Sequence, residues 1–510
     1  DICVNPPENF GSVPPLEPEG HTIYSTEELM ALLGGQEVTS LSQLCEWAKS
    51  ITLKYVRDGY ITSQAIVLEP EDSSTNPAIS LTIFEGILDP EDIKITGLTR
   101  LREGYVRDRI LLGVGTPLHY QDLEDQLQLL RSDPLLDSFT ASLGPKQGNS
   151  ISQSRLTVSA IESDILDGRL SFDNSSPEAL GTNRFETGLT FQNVAGIGDT
   201  LTTSWRETGE LGSRLHRFTY QIPVNAKGGM VSVEANVNRN RIVSEPFNAF
   251  DVEDRSGQYE ISMRQPLWRS PRDEFALSFG YSYRQAQTTV LNRGTPFGAG
   301  PEADGATRLS VLRFSQDYLH RDPQGAWVIQ SQFNWGNDWF GATDQEDGIP
   351  DSQFLSWLGQ VQRYQRVGSN HLLIGRLDLQ LTTDALLSAE QFVIGGSQSV
   401  RGYRQNMRSA DNGFRVSLED RITFLRQQNG KPSVQLIPFA DAGYVWNHSS
   451  NPNSISSDRW LAGIGIGVGW EPVPDFLMRL DYGAALISVP DEGNDPLQRN
   501  GLHFSTTYDF

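Results

Sequence analysis

Long apolar runs are absent from this sequence. No stretch of about 18 consecutive apolar residues occurs in the 510 residues, which excludes a transmembrane helix. The mean hydropathy of -0.38 is that of an ordinary soluble protein. A transmembrane β-barrel reaches a similar average, because its strands alternate lipid-facing and lumen-facing residues. Hydropathy alone therefore leaves both classes open.

Positive charge is also scarce. The chain has 41 Lys and Arg residues against 64 Asp and Glu residues, a formal net charge of -23. No basic stripe is present to neutralise phosphates, so we expect no nucleic-acid partner. An acidic excess mostly serves solubility and loop hydration. At this length we expect at least two domains.

Cysteine and histidine are too sparse for a metal or catalytic centre. The two cysteines, Cys3 and Cys45, either form one bridge in an oxidising compartment or leave Cys45 as a free buried thiol on a helix. The seven histidines lie in separate segments without the spacing of a metal motif. His216, His371 and His503 lie in predicted strands, where an isolated histidine is usually an ordinary core or lumen residue. We therefore expect no enzyme, no metal and no cofactor.

The N-terminal third predicts a linker and two small α+β modules. Residues 1–19 are rich in proline and lack periodicity, which predicts an extended linker, and no signal peptide is visible at the start, so we expect any leader to have been removed. Residues 20–88 read as helix, helix, strand, strand, and residues 89–163 repeat that order behind an opening strand. The first copy lacks a convincing opening strand. A first helix is predicted to begin with Ser25 as its N-cap and Glu28 at the capping-box position. The other predicted helices are 41–56, which stops at Gly59, 100–112 and 120–131, and the predicted strands are 60–68, 78–85, 93–97, 138–143 and 151–161.

Beyond residue 169 the helical period disappears and segments of about ten residues alternate with a period of two. Gly, Pro, Asn and Asp turns separate about sixteen such segments. Aromatic residues cluster near the segment ends, as a membrane barrel requires. Phe510 continues the apolar register of Leu502, Phe504 and Tyr508. These features favour a 16-stranded antiparallel transmembrane β-barrel over residues 164–510, rather than a soluble propeller or sandwich.

Three motifs in the barrel region place charge on the face opposite the apolar one. In the segment that begins at Gly413, residues Arg415 and Glu419 alternate with apolar neighbours, and Asp441 does the same between Phe439 and Gly443. If the apolar faces contact lipid, these charges line a lumen. A loop at about 388–411, between the eleventh and twelfth strands, carries Val400, Arg401, Gly402 and Tyr403. The guanidinium of Arg401 could fork onto inward-facing carboxylates.

This set of motifs resembles an outer-membrane superfamily. Val-Arg-Gly-Tyr (400–403), Gly-x-Arg-x-x-x-Glu (413–419) and Phe-x-Asp-x-Gly (439–443) are similar to the motifs of the barrel-assembly insertase and of the two-partner secretion transporters, the class that exports haemolysin-like and haemagglutinin-like proteins. The two modules resemble POTRA (polypeptide-transport-associated) domains, and the runs 56–63 and 123–131 resemble cyanobacterial members. The resemblance implies that the loop reaches into the lumen and that Arg401 pairs with Asp441 or with Glu419. Arg415 could equally pair with Glu419 along its own strand, and the resemblance makes Phe510 an assembly signal.

Two modules favour a two-partner secretion transporter over an insertase, which usually carries more, and over a passive porin, which needs none. The resemblance implies a bacterial outer-membrane protein with its modules in the periplasm. It implies that an unfolded exoprotein is recognised there and passes through the barrel without ATP or a metal. The expected partners are this client, outer-membrane lipid and the barrel-assembly machinery, and the expected state is a monomer.

Overall fold

The protein divides into two compact units, residues 1–163 and residues 164–510, in a computed structural model. The structure describes residues 3, 13, 15–68, 79–146, 151–346, 348–490 and 496–510. Within these ranges, no helix has the length and apolar character needed to cross a membrane.

The first unit contains two α+β modules in sequence. Its helices are α1 Thr26–Ala31, α2 Leu41–Arg57, α3 Glu103–Leu111 and α4 Tyr120–Arg131. Its strands are β1 Gln64–Leu68, β2 Ser80–Phe84, β3 Ile87–Thr96, β4 Leu136–Pro145 and β5 Gln153–Glu162. Each module packs one helical face on its sheet around its own buried core, the first around Leu44, Ile51 and Leu81 and the second around Val106, Leu123 and Leu156.

Most helix and strand predictions for this unit are confirmed, with local differences at their ends. The capping box of Ser25 and Glu28 forms at the start of α1. Residues 60–63 form a turn rather than the start of a strand, because the Ser63 N–H closes onto the Tyr60 carbonyl oxygen at 3.0 Å. The predicted strand residue 78 lies outside the described residues.

The two modules repeat at an offset of 77 residues. In the second module, β3 runs parallel to β5 and pairs Thr96 with Ser159. In the first module, the equivalent contact is a single parallel bridge between Glu19 and Thr82. The opening strand that the sequence did not reveal is therefore represented, among the described residues, by one bridging residue at the end of the proline-rich segment.

One carboxylate in each module connects the end of the last strand to the loop after the first strand. Glu162 accepts the backbone N–H groups of Thr99, Arg100 and Leu101 at 2.6, 2.7 and 3.0 Å. In the first module, Glu85 accepts the N–H of Thr22 at 2.7 Å across the same separation of 63 residues. This shared contact holds the two ends of each module together.

Residues 1–19 are tied to the first module where they are described. Cys3 and Cys45 form a disulfide, so the bridged alternative is the one found. Val13 is buried in the core of the first module, and Leu16 packs against it. The prediction of a simple linker therefore misses these contacts, whereas Pro6, Pro7 and Pro14 lie outside the described residues.

The second unit is a closed antiparallel barrel, and over its described residues sixteen long strands form the ring. They are β6 Leu166–Asp173, β7 Arg184–Gln192, β8 Thr200–Thr208, β9 Ser213–Pro223, β10 Met230–Arg241, β11 Val252–Arg269, β12 Asp273–Val290, β14 Ala306–Asp322, β15 Gly325–Asn337, β16 Leu355–Val367, β17 His371–Thr382, β20 Asn412–Arg426, β21 Pro432–Trp446, β22 Trp460–Val473, β23 Phe476–Ala485 and β24 Leu502–Asp509. The two-residue β13 Arg293–Gly294 extends the pairing of β12. Short β18 Phe392–Ile394 and β19 Arg408–Ala410 pair inside the loop after β17, and the short helix α5 Pro496–Arg499 precedes β24.

The barrel closes where β24 pairs with β6. The ladder there joins Ser505 to Asp173 through to Asp509 and Arg169, five residue pairs. Phe510 extends it, since its N–H and carbonyl oxygen bond to Gly168 at 2.9 and 2.7 Å. The predicted sixteen-stranded barrel is confirmed, and its closed ladder satisfies the strand backbones internally as a membrane demands.

We predict that the disulfide accounts for a large part of the stability of the first unit. Cys3 and Cys45 are 42 residues apart, so the bridge removes loop entropy from the unfolded chain, worth about 2 to 4 kcal/mol. The fragment 1–163 should fold alone by circular dichroism. Cys45→Ser should lower its free energy of unfolding in urea by that amount, and dithiothreitol should affect only the unsubstituted fragment. A loss below about 0.5 kcal/mol would contradict the prediction.

We also predict that Glu162 makes the first unit sensitive to acid. Burial raises the pKa of the Glu162 carboxyl, but the backbone N–H groups of residues 99–101 and the charge of Arg100 outweigh it and leave the pKa below its ordinary value. Such a group stabilises the fold above its unfolded pKa of about 4.3, and this contribution is lost as the pH falls through the lower folded value. The free energy of unfolding, measured in urea at pH values from 7 to 3, should therefore fall less with decreasing pH for Glu162→Gln than for the unsubstituted fragment. Glu103→Gln, at a largely exposed carboxylate, is the control, and parallel curves for Glu162→Gln would count against this role.

Candidate functional site

The lumenal loop, residues 383–411, connects β17 to β20 and includes the predicted range 388–411. Its stem is the β18–β19 pair, and its tip turns at two glycines with positive φ, Gly395 at 104° and Gly396 at 99°. A Cβ at Gly395 would lie 2.9 Å from both the Arg404 carbonyl oxygen and the Met407 nitrogen. The tight tip therefore requires glycine, and it places residues 400–403 against the inner wall of β20–β23.

Arg401 contacts both carboxylates that the sequence placed on the lumen face. Its Nε and Nη2 donate to the two oxygens of Asp441 at 2.7 and 2.9 Å, and its Nη1 donates to Glu419 Oε2 at 2.8 Å. The Arg401 backbone N–H also donates to Asp441, at 3.1 Å. Arg401 therefore pairs with both of the partners that the sequence left open, Asp441 and Glu419. It can do so because the guanidinium fork spans two adjacent strands.

The wall encloses this ion pair closely. The Asp441 side chain is fully buried and that of Arg401 is 5% exposed. Ser417 donates to Asp441 at 2.6 Å, and the Arg401 guanidinium carbon lies 3.5 Å from the ring centre of Phe439. A cation over an aromatic face gains further attraction when it is desolvated.

Glu419 is also bound by two arginines that the sequence reading missed. Arg421 Nε donates to its Oε1 at 2.7 Å, and Arg479 Nη2 donates to its Oε2 at 2.9 Å. Arg479 also donates to Asp481 at 2.8 Å. A signal was available, since Arg479 and Asp481 alternate with apolar residues on β23 in the same way as the charged residues of the other motif strands.

Arg415 does not pair with Glu419, which corrects the pairing considered from the sequence. It binds Asp378 of β17 instead, which is its direct partner in the ladder. Two side chains four residues apart on one strand are about 13 Å apart, whereas cross-strand partners are about 5 Å apart. The sequence did not specify this cross-strand register.

The remaining motif residues pack the loop onto the wall. Val400 is fully buried in a cluster with Phe392, Ile394 and Val445. The Tyr403 hydroxyl lies 2.9 Å from the carbonyl oxygens of residues 462 and 487, either of which can accept its single proton, and it accepts the backbone N–H groups of the same two residues at 3.2 Å. These contacts fix both flanks of Arg401.

Glycines on the wall allow the loop backbone to approach. A Cβ at Gly463 would lie 2.0 Å from the Arg401 carbonyl oxygen, and one at Gly483 would lie 2.5 Å from the Gly402 nitrogen. A Cβ at Gly413 would lie 2.4 Å from the Phe392 ring, and one at Gly443 would lie 3.2 Å from the Val400 side chain. The glycine at position 463 on the lumen face of β22 is therefore explained by the close approach of the loop backbone.

The strand-borne histidines do not come together. His216, His371 and His503 lie on β9, β17 and β24, which are not neighbours in the barrel. His216 stacks on Trp205, and His371 bonds to Asp420 at 2.8 Å. His503 is buried and lines the same cavity as Arg401 and Glu419.

Known proteins resemble this chain over most of its length. The family model described as haemolysin secretion/activation protein ShlB/FhaC/HecB matches residues 152–470. The chain is 23% identical over 458 residues to the outer membrane transporter CdiB of Dickeya dadantii, covering 88% of this chain and 78% of the relative. It is 22% identical over 484 residues to the hemolysin transporter protein ShlB of Serratia marcescens, covering 89% and 81% of the two chains.

Solved structures share the fold over almost the whole chain. CdiB from Escherichia coli superposes with a TM-score of 0.73 at 19% identity, covering 99% of this chain and 92% of that one. BamA from Haemophilus ducreyi, lacking POTRA domains 1–3, superposes with a TM-score of 0.58 at 13% identity, covering 98% of this chain and all of that one. The cyanobacterial resemblance finds no support in these comparisons.

We predict that Gly463→Ala displaces the loop tip. The added Cβ would occupy the space of the Arg401 carbonyl oxygen, so the loop backbone would have to move away from β22. Trypsin should then cleave the loop of the detergent-purified protein at least tenfold faster after Arg401 or Arg404, while the barrel keeps its heat-modifiable mobility.

The matched control is Gly469→Ala on the same face of β22. Its Cβ would meet only ordinary contacts, the nearest at 3.5 Å from Ile437. Equal cleavage rates for the two variants would show that backbone contact at Gly463 does not position the loop.

Proposed function

This chain belongs to the haemolysin secretion/activation protein family of outer-membrane transporters, and we propose that the lumenal loop is the element that must move when an unfolded exoprotein crosses its barrel. The client would bind the first unit in the periplasm, pass through the lumen in extended form and fold outside. Folding of the exported chain supplies direction, so the proposal requires no ATP.

The observation that carries this proposal is the attachment of the loop tip by Arg401 to Asp441 and Glu419. Ion pairs and hydrogen bonds can be exchanged for water or for client groups without breaking the wall. The wall itself is held by a closed ladder that does not include the loop tip. The loop can therefore be released while the barrel stays intact.

The first unit offers a place to receive an extended chain. A groove of about 650 Å³ lies between α4 and β4, with Leu123, Leu127 and Leu143 on its walls. In the sheet order β3-β5-β4, the strand β4 is at an edge. We propose that a client segment pairs with this edge and places apolar side chains in the groove, as β-augmentation allows.

Beneath the loop tip, a polar cavity of about 290 Å³ offers groups to a passing chain. Arg376, Arg421 and Arg479 line it together with Asp378 and Asp481. Mixed charge suits a hydrated polypeptide, because every backbone amide finds donors and acceptors there. An apolar channel would retain hydrophobic client segments.

Two alternatives are weaker. An insertase uses the same barrel, and the chain is 30% identical over 215 residues to the outer membrane protein assembly factor BamA of Nitratidesulfovibrio vulgaris, but this match covers 39% of the chain. A passive porin does not account for the two N-terminal modules. We therefore assign the modules as POTRA domains of a transporter.

The remaining roles form part of the same proposal. We propose a monomer in outer-membrane lipid without a catalytic step. Phe510 would contribute to insertion by the barrel-assembly machinery, since its backbone extends the closing ladder and its ring covers Gly168.

We predict that Arg401→Ala lowers client export at least tenfold while the amount of folded barrel is unchanged, because a loop tip that is no longer attached at its place on the wall lies in the path of the client. Removing one partner leaves a buried charge uncompensated, at a cost of roughly 3 to 5 kcal/mol in a dry site and about 1 kcal/mol in a wet one. Arg401→Lys should rescue poorly, because an ammonium group cannot reproduce the fork. Secreted client is the readout, with heat-modifiable barrel measured in the same cells.

The control is Arg206→Ala, which breaks a lumen-facing pair with Glu186 away from the loop. A double-mutant cycle of Arg401→Ala with Asp441→Ala, and a second with Glu419→Ala, tests the attachment itself. Strictly additive export defects in both cycles would refute it.

A further inference from the structure

Three arginines form a row across neighbouring barrel strands. Arg214 of β9 is the ladder partner of Arg239 of β10, which is also the partner of Arg255 of β11. Like charges directly opposite one another destabilise a sheet. The row therefore needs negative charge from elsewhere.

The row lies on the outer face of the barrel. Arg239 has the register of Val233 and Val237, and Arg255 has that of Tyr259 and Ile261, all of which are exposed apolar residues. Outward apolar side chains of a membrane barrel contact lipid. The arginines therefore lie on the same outer face as the lipid-facing residues, next to the end of the apolar band.

The row is at the extracellular end of the strands. The chain enters β6 from the periplasmic unit, so every second strand runs away from the periplasm and the strands between them return. β10 is the fifth strand and Arg239 is near its end, whereas β11 is the sixth and Arg255 is near its start. Both positions are therefore on the side of the outer leaflet.

Protein carboxylates compensate the row only in part. Glu253 accepts from Arg239 at 2.8 Å and from Arg255 at 2.9 Å, and Glu207 accepts from Arg214 at 3.1 Å. The side chains of Arg239 and Arg255 nevertheless remain 53% and 64% exposed. Each guanidinium carries five N–H donors, so most of their donors remain available.

A groove of about 500 Å³ lies directly below these side chains. Arg239 and Arg255 line it above, and Val237 and Tyr259 line it towards the membrane. Arg308, which is paired with Glu302, also lines it, in the ladder row of Val237 and Gly257. Gly257 lies between Arg255 and Tyr259 on the same face, and its missing side chain leaves the floor open. No carboxylate is found among the lining residues that the structure describes.

We propose that this groove binds the phosphate-bearing headgroup of an outer-leaflet lipid. The guanidinium forks of Arg239 and Arg255 would bind phosphate oxygens, for which their planar geometry is suited. The acyl chains would follow Val237 and Tyr259 down the apolar face. The negative phosphate supplies the charge that the arginine row lacks.

The patch is confined to one side of the barrel. At the extracellular ends of strands on the opposite side, the corresponding outward residues are Trp335, Leu355, Leu381 and Trp460, all exposed and apolar. A general requirement for outer-leaflet charge would place arginines around the whole rim. The local cluster indicates a site.

The test uses the full-length protein in detergent and measures bound lipid by native mass spectrometry. The probe is bis-phosphorylated lipid A, with its dephosphorylated form in parallel. The unsubstituted protein should bind the phosphorylated form at least tenfold more tightly. Arg239→Gln with Arg255→Gln should remove this preference, and Gly257→Val should weaken binding of both lipids by filling the floor while keeping both arginines.

Arg269→Gln is the matched control, since it removes an arginine, paired with Glu274, at the other end of β11. An unchanged preference in the double variant, or an equal loss in Arg269→Gln, would overturn the proposal. Inorganic phosphate at the lipid's concentration should not displace the lipid, and full displacement would overturn the assignment to a lipid. If the double variant does not fold, Gly257→Val decides, and binding equal to that of the unsubstituted protein overturns the proposal.

Discussion

The attachment of Arg401 to Asp441 and Glu419 is the interaction on which the position of the lumenal loop depends. It joins the loop tip to two adjacent strands through one planar group, with four hydrogen bonds to the carboxylates when the backbone N–H is included. Because Asp441 is fully buried, it cannot exchange these bonds for water while the loop remains in place. Displacing the loop therefore requires a competing donor or the entry of water.

The position of the loop depends on space for its backbone as well as on the ion pairs of Arg401. Gly463 and Gly483 let the backbone at Arg401 and Gly402 touch the wall strands, where any side chain would intrude. The guanidinium reaches two carboxylates at once only from this depth. The space at the wall glycines and the two carboxylates therefore specify the same position of the loop tip. Without the space the guanidinium would not reach the carboxylates, and without the carboxylates the loop tip would not be attached there.

Alternation was sufficient to predict the barrel and the inward direction of Glu419 and Asp441, because a period of two is a local property of the sequence. Pairing between strands is not local. For Arg415 the sequence therefore offers only a possible partner on its own strand, Glu419, whereas Asp378 lies opposite it in the ladder. Arg479 was overlooked because its strand carries no recognisable motif, although its alternation placed it on the lumen face.

The first module shows the same limit in another form. Its opening strand pairs through Glu19 alone among the described residues, and such a contact leaves no periodic signal. Thr96 and Ser159 pair in the second module, and an offset of 77 residues maps them onto Glu19 and Thr82. This offset could have indicated the opening strand, but the proline-rich composition before Glu19 favoured a linker. Composition describes the average of a segment, and one paired residue does not change that average.

The loop tip also contacts the closing seam of the barrel, which links two parts of the structure that the sequence separates widely. Ser397 donates to Ser175 beside β6 at 2.8 Å, and the Gln405 N–H donates to Gln498 before β24 at 3.0 Å. Gln498 in turn bonds to the Ser176 carbonyl oxygen at 2.8 Å. Since the seam ladder has only five residue pairs, these side-chain bonds form a substantial share of the contacts there. Movement of the loop therefore breaks these side-chain bonds at the seam, while the backbone ladder between β24 and β6 does not include the loop and stays paired.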